Sequence, residues 1–138
     1  TCMIAVDTNV LLYVHDPRDV RKQRIATELV NSLDDPALLW QVACEYVAAA
    51  RKLTPFGLTA ALALDNVRSL RRLWTCCGPT WDVLDEAERL IGRYSLSFWD
   101  ALLVASCLVH GIERLYTDFS GYGSIAGVQI IDPFRQSV

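Results

Sequence analysis

Charge is nearly absent from four long stretches of this sequence, and each stretch keeps a single acid. Residues 1–15 hold only Asp7, residues 36–50 only Glu45, residues 96–112 only Asp100, and residues 115–131 only Asp118. These 64 residues carry 4 charges and the other 74 carry 25, so the four stretches read as buried elements interrupted by one carboxylate each. A lone buried carboxylate is costly, and several placed together repel, raise one another's pKa values and partly protonate. A divalent cation removes that penalty. Oxygen ligands without a His or Cys cluster favour Mg²⁺ or Mn²⁺ over Zn²⁺.

The order of elements says where these acids fall. Residues 3–6 read as a short buried strand ending at Asp7, after which Thr8 or Asn9 caps a helix through Leu12 and Tyr13. Pro17 opens a second helix with Arg18, Arg21, Lys22 and Arg24 on one side, and residues 37–40 form a second strand. Residues 41–52 read as a helix stopped by Pro55, and residues 59–73 as another with Leu62, Leu70 and Leu73 inward. A third strand lies near residues 76–79. Thr80 caps a helix to Arg93, and Ser97 caps a nearly all-apolar helix over residues 98–110, ended by Gly111 in the left-handed conformation. Residues 114–117 and 128–131 close the chain as strands. Strands alternating with helices indicate an α/β fold with a mainly parallel, buried sheet. Asp7 and Asp118 then follow strands at the carboxyl edge, where open α/β sheets place their sites. Asp100 falls in the first turn of its helix, and Glu45 one turn into the helix after the second strand.

With 138 residues and 52% hydrophobic composition, the chain reads as one domain, residues 1–138, with a single core. Its longest apolar run, residues 101–109, is broken by Ser106 and is too short to span a bilayer. No signal peptide is visible. Five cysteines without metal spacing suit a reducing compartment, so a cytoplasmic location is expected. A net charge of −3 excludes broad electrostatic capture of nucleic acid.

The motifs Asp7-Thr8-Asn9-Val10-Leu11-Leu12-Tyr13, Gln41-Val42-Ala43-Cys44-Glu45, Ser97-Phe98-Trp99-Asp100-Ala101-Leu102, Leu115-Tyr116-Thr117-Asp118-Phe119 and Ile131-Asp132-Pro133-Phe134 occur in this order. Over about residues 3–134 the chain resembles a PIN-domain protein, closest to the VapC toxin type. The resemblance implies a three-layer PIN-like fold, a central, mainly parallel β-sheet flanked by helices. It also implies an Mg²⁺- or Mn²⁺-dependent endoribonuclease, silenced by a VapB-like antitoxin. By that likeness Asp7, Glu45, Asp100 and Asp118 are the catalytic, metal-binding quartet. Thr8 and Asn9 resemble the polar residues that order the first acid, and Thr117 sits beside the site. The segment after Thr117 is about one residue shorter than is common in such toxins, and Asp132 stands where asparagine often precedes the terminal Pro-Phe.

The reaction expected is metal-assisted hydrolysis of RNA phosphodiesters, with a water made more acidic for in-line attack on phosphorus. Arg18, Arg21, Lys22, Arg24, Arg68, Arg71 and Arg72 are candidates to track flanking phosphates, or else simply solvated helix faces. A rival reading is a catalytically inactive PIN-like module whose acids take a protein's arginines, or which binds RNA uncut. A phosphatase with Asp7 as nucleophile is disfavoured, because Asn9 and Leu11 depart from the D-x-D-x-T pattern. Gly121, Gly123 and Gly127 read as a mobile loop, and Trp40, Trp74, Trp81 and Trp99 as core and interface filling, although an exposed one could stack a base. High hydrophobicity points to a homodimer, with residues 10–14 and 58–70 as candidate dimer and antitoxin surfaces.

Overall fold

The computed structural model describes residues 2–119 and 122–135. Six strands form one sheet in the order β3-β2-β1-β4-β6-β5: β1 (Ile4–Val6), β2 (Pro36–Leu39), β3 (Thr75–Cys77), β4 (Arg114–Tyr116), β5 (Ser124–Ile125) and β6 (Val128–Ile131). All pairings are parallel except β5 with β6. The helices are α1 (Thr8–Tyr13), α2 (Val20–Ser32), α3 (Trp40–Ala49), α4 (Ala60–Leu73), α5 (Trp81–Arg93) and α6 (Phe98–Val109), with a 3-10 turn over Ala50–Phe56.

The central strands are continuous aliphatic runs because both their faces are covered; every residue of β1 is buried. From β1 the chain steps outward to β2 and then β3, and returns across β1 to β4. With right-handed crossovers that reversal seats α5 and α6 on the face opposite α1 to α4, giving three layers. Leu39, Val42, Tyr46, Val104 and Leu115 are among the core residues that are almost fully buried. The buried Tyr46 hydroxyl is satisfied by the Asn66 amide, which donates at 3.0 Å, and lies 3.0 Å from His15 Nε2.

Several boundaries differ from the sequence reading. Asp7 itself caps α1, accepting from the Thr8 N–H, rather than Thr8 or Asn9. Helix α2 begins three residues after Pro17, because Asp19 supplies the cap by accepting from the Lys22 N–H. The helix expected over residues 41–52 ends at Ala49 and tightens into the 3-10 turn, which contains Pro55. Leu62 and Leu73 face outward, 44% and 78% exposed, while Leu70 is half-buried. Thr80 and Ser97 do cap α5 and α6. Gly111 (φ 71°) ends α6 with paired bonds from Gly111 N to Leu108 O and from Ile112 N to Cys107 O. Gly127 belongs not to a loose loop but to a two-residue hairpin turn with Ala126, both at positive φ, which creates the unforeseen strand β5. Gly121 lies outside the described residues. No helix among the described residues is long and apolar enough to cross a membrane.

Candidate active site

Strands β1 and β4 lie side by side with Val6 opposite Tyr116, so the residues that follow them, Asp7 and Thr117, meet at the carboxyl edge. Here the strand order reverses, which opens a crevice between adjacent connections. The Asp7 N–H donates to Tyr116 O at 2.8 Å. Its carboxylate accepts from the Thr8 N–H at 2.7 Å on one oxygen and from the fully buried Thr117 hydroxyl at 2.7 Å on the other. The Thr8 hydroxyl in turn donates to Glu45 Oε2 at 3.0 Å, and the Gln41 amide to Glu45 Oε1 at 2.9 Å. Thr8 thus bridges two acids that are 38 positions apart in the chain, and Gln41, one helical turn before Glu45, holds the second from its own helix.

Asp100 sits in the first turn of α6, where its N–H donates to the Ser97 hydroxyl at 3.2 Å. Asp118 is exposed just beyond β4. All four acids line one cleft of about 490 Å³, together with Asn9, Gln41 and Trp99. Burial pushes the Asp7 carboxyl above its ordinary pKa. The Thr117 and Thr8 hydrogen bonds oppose that shift, and the Glu45 and Asp118 charges add to it. The ion pairs Arg18–Asp16, Arg68–Asp65 and Arg89–Glu86 include no member of the quartet.

Among the described residues no three acidic, histidine or cysteine side chains are grouped closely enough to hold a metal ion by themselves. The acids frame the cleft while Asp7 and Glu45 are held back against hydroxyl and amide donors. An all-oxygen, anionic and open donor set fits Mg²⁺ or Mn²⁺, which is usually held by one or two carboxylates with waters and substrate phosphate completing the shell. It does not fit a structural zinc site.

The sequence-predicted basic residues scatter. Arg18 reaches a recess of about 150 Å³ that shares Asn9, Leu12, Ala49 and Lys52 with the cleft. There its guanidinium binds both Asp16 oxygens at 2.9 Å and stacks over Phe56. Lys22 donates to the Tyr13 hydroxyl at 3.2 Å; that bond first, and the Asp19 and Asp118 charges more weakly, hold its ammonium above the ordinary value. Arg21 donates to Phe134 O. Arg24, Arg68, Arg71 and Arg72 line none of these spaces. The cations that do line the cleft, Arg51 and Lys52, were missed. The 3-10 turn brings them there, and the available signal was that they are the first basic residues after the uncharged stretch around Glu45.

A PIN domain family profile matches residues 4–120. The chain belongs to the PIN-domain family. Among solved structures, this PIN domain resembles a toxin-antitoxin complex from Klebsiella pneumoniae at TM-score 0.68 and 20% identity, with 96% of this chain and 98% of that one covered. It resembles Mycobacterium tuberculosis VapC20, a sarcin-ricin loop cleaving toxin, at TM-score 0.66 and 20% identity over 91% and 98% of the two chains. VapBC-1 from nontypeable Haemophilus influenzae aligns at TM-score 0.56 and 14% identity over 84% and 86%. Identities this low show a shared fold. Compared by sequence with curated proteins, the chain finds no match.

Proposed function

We propose that this PIN domain is an Mg²⁺- or Mn²⁺-dependent endoribonuclease, the toxin of a VapBC-type pair, acting in the cytoplasm and silenced by a VapB-like antitoxin. The observation that carries the reading is the placement of Asp7, Glu45, Asp100 and Asp118 on one cleft at the β1/β4 switch point. The toxin assignment is supported by the likeness in fold to the Klebsiella, Mycobacterium and Haemophilus structures.

Asp7, Glu45, Asp100 and Asp118 are the residues that would hold the ion. When bound, it supplies a more acidic water and positive charge for the phosphate oxygens. The chain's own contribution is order. Thr117 and the Thr8 N–H fix the Asp7 carboxylate, while the Thr8 hydroxyl and Gln41 fix that of Glu45, so little reorganisation is left for the reaction. Arg51 and Lys52 at the rim take the phosphates flanking the scissile one and orient the strand. The fully buried Thr117, which has no ordinary core role for its hydroxyl, is a positioning residue for Asp7.

Purified protein incubated with total RNA and Mn²⁺ tests the reading. Discrete cleavage is expected, abolished by chelation and absent in Asp7→Asn and Asp100→Asn proteins that remain folded. Folded wild-type protein that leaves every RNA intact with both metals favours the inactive binding module instead.

A further inference from the structure

The four acids are not held alike. Asp7 and Glu45 each accept two hydrogen bonds on their carboxylates. For Asp100 and Asp118 no hydrogen bond to the carboxylate is made among the described residues: the Ser97 hydroxyl caps the backbone of the first, and the second is exposed one position beyond Thr117. What places these two acids is the path of the segments that carry them.

Those segments are fastened to each other. The stretch 118–122 is pinned at both ends to neighbouring residues of β6: the Thr117 N–H donates to Ile131 O at 2.9 Å, and the Ile130 N–H donates to Gly123 O at 3.1 Å. Its far end reaches across to the connection between α5 and α6, where the Tyr122 hydroxyl donates to Ser95 O at 3.1 Å. Tyr94, beside Ser95, reaches back. Its hydroxyl accepts at 3.2 Å from the N–H of Ala126, in the turn between β5 and β6. The two rings meet edge to face with centroids 6.3 Å apart, and both pack against the core. Each tyrosine thus crosses from its own segment to bond the backbone of the other. The Leu96 N–H, donating to Tyr94 O at 2.9 Å, keeps the connection tight, and Ser97, two positions past Ser95, caps the helix that carries Asp100.

Tyr122 lies four positions after Asp118, and Ser95 five before Asp100. Four residues span at most about 14 Å, so fastening Tyr122 to Ser95 limits how far Asp118 can swing from the first turn of α6. Packing alone would need the two rings but not their hydroxyls. We infer that Tyr94 and Tyr122 are positioning residues that set the spacing of Asp100 and Asp118 across the cleft, the task that Thr8, Thr117 and Gln41 perform for the other two acids. This rests on the reading of the four acids as a metal-binding quartet and adds a requirement to it: half of that quartet depends on two hydroxyls that lie outside the lining of the cleft.

The test is metal binding without RNA. Free Mn²⁺ is followed by electron paramagnetic resonance at pH 7 as wild-type, Tyr122→Phe, Tyr94→Phe, Asp118→Asn and doubly substituted Asp118→Asn, Tyr122→Phe proteins are added. Tyr122→Phe is expected to weaken Mn²⁺ binding by roughly ten-fold, the scale of losing a partner that orients a metal ligand, and Tyr94→Phe to act in the same direction. With Asp118→Asn already in place, the further loss from Tyr122→Phe is expected to stay under about two-fold, because the acid it positions is gone. A hydroxyl that served stability alone would lower Tm and leave Mn²⁺ affinity unchanged well below it. Equal affinity of wild type and Tyr122→Phe, or the same fold loss with Asp118 and with Asn in its place, overturns the inference and leaves the nuclease reading standing. Wild type that holds no Mn²⁺ overturns both.

Discussion

The carboxyl edge of the sheet changes character within the width of two strands. Over β1 and β4 it carries carboxylates locked by threonine hydroxyls and backbone N–H groups. Over β2 and β3 it carries exposed indoles and hardly any charge. Both regions sacrifice stability, but differently. The first buries a carboxylate, which pushes the Asp7 pKa up, and sets the Glu45 and Asp118 charges near it, which add to that shift; the second leaves apolar area in water. A chain selected only for folding would neutralise the acids and bury the tryptophans.

Breaking the acidic half should have the largest consequence. Asp7→Asn and Asp100→Asn are each expected to lower RNA cleavage by at least roughly a hundred-fold, on the scale of losing one preorganised electrostatic group, measured as initial rates with matched circular-dichroism spectra.

Stability sharpens the contrast. Burial raises the Asp7 pKa in the folded chain, so the folded state binds that proton more tightly than the unfolded state. Stability therefore falls as pH rises from the ordinary carboxylate range through the raised value, and the deficit persists above it. Asp7→Asn removes the titration while keeping an acceptor for the Thr8 N–H. Without added metal, its Tm is expected to exceed wild type at pH 7, with the gap closing as pH drops below the ordinary carboxylate range. Mn²⁺ should raise the wild-type Tm in proportion to the logarithm of its concentration and leave the variant behind. Thr117→Val acts in the opposite sense. It strips a hydrogen bond from a buried carboxylate and is expected to cost about 1–3 kcal/mol, read by urea unfolding at pH 7.

The smallest effect belongs to the rim. Arg51→Ala and Lys52→Ala are expected to flatten the salt dependence of RNA binding by about 0.7 in the log–log slope for each phosphate that is no longer neutralised. Arg71→Ala, on the outer surface of α4, should leave the slope unchanged.

Much of this was legible in the sequence because aliphatic runs and caps are local signals. The strands expected over residues 3–6 and 37–40 are observed as Ile4–Val6 and Pro36–Leu39, with Trp40 opening α3 instead, and Thr80 and Ser97 marked the starts of α5 and α6 correctly. The family followed from short motifs in order, and the family profile bears it out. What escaped depended on tertiary placement. Leu62 and Leu73 obey a helical period yet face outward, because the core side of α4 is set by Ala63, Val67 and Leu70. The two-residue β5 is too short to carry a period. Residues 10–14 looked like an interaction patch, but Val10 and Leu11 are core. The tryptophans were assigned mainly to packing because large aromatic residues usually pack, and nothing local shows that three helix starts line one groove. Gln41, Arg51 and Lys52 reach the cleft only through the turn from α3 into the 3-10 segment.

Sequencing of RNA ends after induced expression, with Asp7→Asn expressed to the same level, addresses the four-acid cleft most directly. Recurrent new ends in the wild type and none in the variant are predicted. Identical ends in both samples would contradict the assignment of this cleft as the place where RNA is cut.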